Sequence, residues 1–240
     1  MARSRKSNLE MVALGHAVEV AEHGMAVMEA ALVPGMTENG LWSLIHQVNV
    51  SHDGTGSMVG CSVQGAPTNP WYQEAGPRAI GAGDLVAFDT DMIGPFGYCA
   101  DISRTFVCRG LDGRPEPTLE QSRLYEMARR GRAQHGTVQI GASFRELSAA
   151  TWRQPDEVWV NRYACAFHGV GCRTSIPGFR TRLTGSGAVT TARWRTVLGL
   201  SVESYVGPGG GVEGVKLEQM VRVTNGGVVP LSTYPLWDED

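Results

Sequence analysis

The sequence predicts an α+β fold, and three observations predict it. Apolar residues recur at steps of three and four near the start, polar and apolar residues alternate with period two in the middle, and two short strand-like runs close the last third around a Gly-rich link. At 240 residues with 42 % hydrophobic composition the chain can bury a sizeable core, and we expect a single domain over 1–240.

Met11, Leu14, Val18, Ala21, Met25, Met28 and Leu32 form the stripe of an amphipathic helix, stopped by Pro34-Gly35. Thr37 as N-cap and Glu38 in the first turn then open a second helix through about Val48. Residues 84–106, DLVAFDTDMIGPFGYCADISRTF, alternate on either side of Gly-Pro-Phe-Gly and read as a hairpin. Two capping boxes follow: Thr118-x-x-Gln121 starts a helix over roughly 119–135, and Ser143-x-x-Glu146 starts another through Trp152. A strand over 163–167 then delivers His168-Gly-Val-Gly171, and the residues after Gly227 read as irregular.

In the hairpin, side chains two apart share a face, so Asp89 and Asp91 point the same way and the returning strand can bring Asp101 opposite them. Like charges this close raise one another's pKa or bind a cation. Glu203 and Glu218 each sit among apolar residues, where an unpartnered carboxylate is costly. With His168 they complete six candidate metal ligands, a donor set of oxygens and one imidazole that suits Fe, Mn, Co or Zn.

The formal net charge of -3 argues against nucleic acid or a membrane surface as partner. Five cysteines without a Cys-x-x-Cys pair fit a reducing compartment. The basic start is followed by an apolar run broken by His16, Glu19, Glu22 and His23, which supports neither export nor a membrane span, so a cytoplasmic location is expected.

The motifs 67-PTNPWYQEAGPR-78, 88-FDTDMIGPFGYCADISRTF-106, 163-YACAFHGVG-171, 202-VESYVG-207 and 215-VKLEQ-219 resemble the creatinase and methionine aminopeptidase family. That resemblance implies a pita-bread fold, a curved antiparallel sheet flanked by helices, holding two divalent metal ions. Within the family the doubled Asp before Ile-Gly-Pro is most similar to the metal-dependent dimethylsulfoniopropionate lyases; the peptidases have one Asp there. Carried over by position, Asp91 would hold the first ion, Asp101 and Glu218 would bridge, and His168 and Glu203 would complete the second site. Asp89 would be the extra lyase carboxylate, and iron is the metal implied. The resemblance also implies a homodimer and a small-molecule substrate. Its sulfonium would suit the rings of Trp71, Tyr72 and Tyr163; Trp71 and Tyr72 could equally pack beside Pro70. Tyr163, five residues before His168, is the candidate catalytic residue.

Two departures matter. The lyases' proton-accepting Asp is expected just after His-Gly-Val-Gly, but Gly171 is followed by Cys-Arg-Thr-Ser, and the peptidases' His-Glu pair is missing as well. Residues 172–198 contain no Asp or Glu, five Arg and six Thr, and we expect them, with about 50–66, to be out-of-frame translation between compensating shifts. The N-terminal domain of the lyases is expected to be absent, which would weaken activity. Two further readings follow from the same residues: an Xaa-Pro aminopeptidase or dipeptidase, and a metal-binding pseudoenzyme or non-catalytic binding protein.

Overall fold

The computed structural model describes residues 6–57, 63–64, 67–71, 73–163, 165–172 and 198–237. Tyr72 and all of 173–197 lie outside them, and with these the expected frame shift over 172–198.

Helix α1 (Asn8–Ala31) starts at a capping box that the stripe did not reveal: Glu10 N donates to Ser7 Oγ, and Ser7 N donates to Glu10 Oε2. Its striped residues are buried. Helix α2 (Glu38–Ser51) is capped by Thr37, as the sequence predicts. The two helices pack closely because Gly24 has no side chain; a Cβ there would lie 2.6 Å from Ile45 Cγ1.

Ten strands follow among the described residues, all paired antiparallel. One sheet runs β1 (Gly56–Ser57), β4 (Met92–Ile93), β5 (Cys99–Ala100); a second runs β2 (Val63–Gln64), β3 (Leu85–Asp89), β6 (Ser103–Val107). The third is β10 (Gly227–Pro230), β9 (Val215–Thr224), β8 (Leu198–Val206), β7 (Phe167–Gly169). Helices α3 (Leu119–Arg132) and α4 (Phe144–Ala150) carry both predicted capping boxes, and a short α5 (Asp156–Trp159) follows Pro155.

The predicted hairpin is present but interrupted. Asp89 faces Ser103 and Met92 faces Ala100, so one register runs through the break and sets Asp91 against Asp101. At the break Asp91 has φ 35, the left-handed region that Asp tolerates better than most residues. Thr90 fills the gap in the ladder: its hydroxyl donates to Ala100 O and accepts from Ile102 N.

Three expectations are corrected. The closing strands are not short, since β8 has nine residues and β9 ten. The tail after Gly227 begins as the edge strand β10, paired with β9, whose largely exposed residues leave no alternation to read; of its described residues only 231–237 are irregular. The strand expected over 163–167 is ladder-paired only over Phe167–Gly169. The described residues of 50–66 finish α2 and supply β1 and β2, which does not bear on the expected frame shift there.

Side chains bind β6 to β9. Thr105 Oγ1 donates to Lys216 O at 2.9 Å and accepts from Lys216 N at 3.0 Å. Arg104, 1 % exposed, donates to Glu218 O at 2.7 Å, to Ser103 O at 3.0 Å and to the carbonyls of Tyr234 and Pro235. A fully buried guanidinium is tolerable because these carbonyls satisfy its donors. It also ties the chain's last described turn to the strand that carries Glu218.

Candidate metal centre

Strands β3, β7, β8 and β9, with the break in the β3–β6 hairpin, bring acidic and imidazole side chains together. Asp89 ends β3, Asp91 and Asp101 flank the break, His168 is central in β7, and Glu203 faces Glu218 across the β8–β9 ladder. All six predicted ligands therefore lie in one cluster, with Asp91 and His168 half-buried and the other four buried. Potential ligand atoms fall into two groups, each within 4.8 Å: Asp89, Asp91 and Asp101, and Asp101, His168 and Glu218. Asp101 belongs to both. His168 Nε2 lies 2.9 Å from Glu218 Oε1, 3.3 Å from Asp101 Oδ2 and 3.5 Å from Glu203 Oε1.

Four contributors to this cluster escape a search for metal ligands. Lys216, two residues before Glu218 and on the same face of β9, is 0 % exposed. Its ammonium donates to Glu203 Oε2 at 2.7 Å, Glu218 Oε2 at 2.8 Å and Ser103 Oγ at 3.1 Å, with Asp89 Oδ2 at 3.5 Å. Ser103 and Ser201 donate to the two oxygens of Glu218, and Arg104 holds its backbone carbonyl. The alternating pattern of 215–223 was the available signal for Lys216: a Lys at an inward position of a buried strand needs acids around it.

The rings expected near a cationic substrate already have a cation. Lys216 Nζ sits 5.6 Å from the centre of the Trp71 ring and 5.4 Å from that of Tyr163. Trp71 is 8 % exposed and also packs on Tyr205. Burial, then the charge of Glu203, raises the Tyr163 hydroxyl far above its ordinary value, so it is suited to donate a hydrogen bond and not to act as a base.

Burial and the charges of Asp89 and Glu218 raise Asp91 to about 7. Asp101 is pushed well above the usual carboxylate range by burial and by Glu218, Asp91 and Asp89. Burial opposes ionisation of Glu218 too, but Lys216 and His168 outweigh it and hold that carboxyl below its ordinary value. His168 is disfavoured as a cation by burial, yet its hydrogen bond to Glu218 and the charge of Glu203 raise it to about 9. Lys216 stays charged because Asp89, Glu203 and Glu218 more than offset its desolvation.

These residues fit divalent cations. Three of the five carboxylates face one ammonium, and when metal displaces the protons of the acids and of His168 the cluster acquires an excess negative charge that two divalent ions would cancel. Asp101 Oδ1 is buried without a hydrogen-bond partner among the described residues, although a buried polar atom almost always has one. Hard oxygen donors with one imidazole suit a first-row transition metal.

The model of metallopeptidase family M24 matches residues 13–225. The chain belongs to this family. Its M24 fold is the pita-bread fold: it aligns with an Xaa-Pro dipeptidase from Bacillus anthracis at TM-score 0.79 and 20 % identity, over 98 % of this chain and 63 % of that one. A prolidase from Pyrococcus horikoshii aligns at TM-score 0.79 and 18 % identity, over 98 % and 65 %. At these identities the M24 structures establish the fold alone. Among curated M24 relatives, the dimethylsulfoniopropionate lyase of Roseovarius nubinhibens is 31 % identical over 97 % of this chain, and that of Roseobacter denitrificans 31 % over 98 %. The chain spans about half the length of these relatives, 53 % of each. Among the described residues, no helix is long and apolar enough to cross a membrane.

Proposed function

We propose that this chain carries the metal centre of a dimethylsulfoniopropionate-type carbon–sulfur lyase. The observation that carries the reading is the trio Asp89, Asp91 and Asp101, whose oxygens lie within 4.8 Å of one another in a buried M24 centre. It is the doubled-Asp feature by which the sequence resembles the lyases more than the peptidases, and the relatives at 31 % identity bear the lyase name.

The reaction is a β-elimination. A base takes the proton α to the substrate carboxylate, the C–S bond breaks with its electron pair going to sulfur, and dimethyl sulfide, acrylate and a proton result. Divalent ions, for which iron is the choice implied by the resemblance, would supply Lewis acidity at the substrate carboxylate and so acidify the α-proton. The protein's part is positional. Asp91, Asp101, His168, Glu203 and Glu218 would hold the cations, and the burial of Asp101, Glu203 and Glu218 limits screening of their charge by water. Tyr163, near Lys216 and lining one small pocket with Glu203, would donate a hydrogen bond to the substrate. Trp71 packs behind the ammonium and excludes water. Gly171 is followed by no carboxylate to take the α-proton, so we propose that elimination by this chain is slow. A homodimer in the cytoplasm acting on a small molecule is part of the same proposal.

The test is to purify the chain, measure bound metal, and assay dimethyl sulfide release beside cleavage of an Xaa-Pro dipeptide. Sulfide release without cleavage is the expected result. Peptide cleavage alone would replace the lyase by an Xaa-Pro peptidase, and bound metal with neither activity would make the chain a pseudoenzyme.

A further inference from the structure

We propose that Lys216 acts as an internal cation that withholds one oxygen of Glu218 from the metal centre, so that one divalent ion binds readily and a second must compete with the ammonium. The proposal rests on the metal reading above and deepens it.

An ammonium has three donors, and those of Lys216 are directed to Glu203 Oε2, Glu218 Oε2 and Ser103 Oγ. Asp89 Oδ2, at 3.5 Å, is the next nearest acceptor. Both glutamates are thereby split. Their Oε2 atoms face Lys216, and their Oε1 atoms face His168 Nε2, at 3.5 Å for Glu203 and 2.9 Å for Glu218. In the group formed by Asp101, His168 and Glu218, the Glu218 oxygen nearest the imidazole is Oε1, which Lys216 leaves to His168 and the Ser201 hydroxyl. The group formed by Asp89, Asp91 and Asp101 does not include Glu218, although the resemblance makes that residue a bridge between two ions. Its second oxygen is occupied: Ser103 Oγ also donates to it, at 2.9 Å. To bridge, Glu218 would have to release a buried ammonium that has no solvent to turn to, because Lys216 is 0 % exposed and the rings of Trp71 and Tyr163 stand beside it. The same positive charge stands beside Asp89, a member of the second group.

Lys216 is thus a positioning residue whose effect is read in ion stoichiometry. The full chain, stripped with EDTA, is titrated with Mn2+ by calorimetry, and bound metal is counted after equilibrium dialysis. Wild type is expected to take up one tight equivalent, with a second weaker by at least about tenfold. Lys216→Met frees Glu218 Oε2 and is expected to tighten the second equivalent by about tenfold or more. Lys216→Gln, which keeps two N–H donors without the charge, carries the same expectation should the Met variant fail to fold. Two equally tight equivalents in wild type would overturn the proposal, as would a second equivalent unchanged in a folded variant. No Mn2+ binding in wild type would overturn the metal centre itself, a result distinct from either.

Discussion

Replacing Asp91 by Asn should stabilise the metal-free protein while weakening its hold on metal. Burial and the charges of Asp89 and Glu218 move the folded-state carboxyl from 3.8 to about 7. A raised pKa in an acid means that ionisation works against the fold. The penalty is absent below about pH 4, where the carboxyl is neutral in both states, grows through the interval, and is complete above about pH 7. A shift of this size corresponds to about 4 kcal/mol, an upper limit because part of the side chain meets solvent. Asn is neutral at every pH, nearly the same shape, and at ease with the φ of 35 at this position. Urea unfolding in EDTA should therefore find Asp91→Asn more stable than wild type by about 1–4 kcal/mol near pH 8, and the difference should vanish near pH 4. Adding Mn2+ should reverse the order at the higher pH, since the ion stabilises the variant that still binds it. A variant no more stable than wild type near pH 8, or one whose advantage does not depend on pH, would refute the electrostatic reasoning.

Asp101 lies in both groups of ligand atoms, so Asp101→Ala should abolish binding of every equivalent of divalent metal while the protein still folds; elemental analysis that finds metal retained would contradict the shared role. Gly131→Ala should destabilise by about 1–3 kcal/mol in thermal or urea melts despite the better helix propensity of Ala. A Cβ there would meet Ser204 Oγ at 2.1 Å, pressing α3 against the strand that carries Glu203. Arg104→Met should cost about 3 kcal/mol or more, because it leaves the carbonyls of Glu218, Tyr234 and Pro235 without their donor. The same unfolding measurement checks it, and a loss below about 1 kcal/mol would show that these carbonyls find other partners.

Sequence by itself determined what depends on neighbours along the chain. The stripe from Met11 to Leu32, the caps at Thr37, Thr118 and Ser143, and the run of Asp89, Asp91 and Asp101 announced their elements because helix caps and strand alternation are local. Edge strand β10 and the short β7 were illegible for the opposite reason: their pairing is decided by β9 and β8, not by their own pattern. The list of acids and the imidazole could be drawn up from the sequence, yet their relation to one another could not. Only the pairing of β7, β8 and β9 and the approach of the end of β3 to β9 put a lysine among three carboxylates, divided the oxygens of Glu203 and Glu218 between that ammonium and His168, and left Asp101 Oδ1 without a partner among the described residues. Which oxygen faces which cation is a matter of ångströms between side chains on different strands, and no local propensity encodes it.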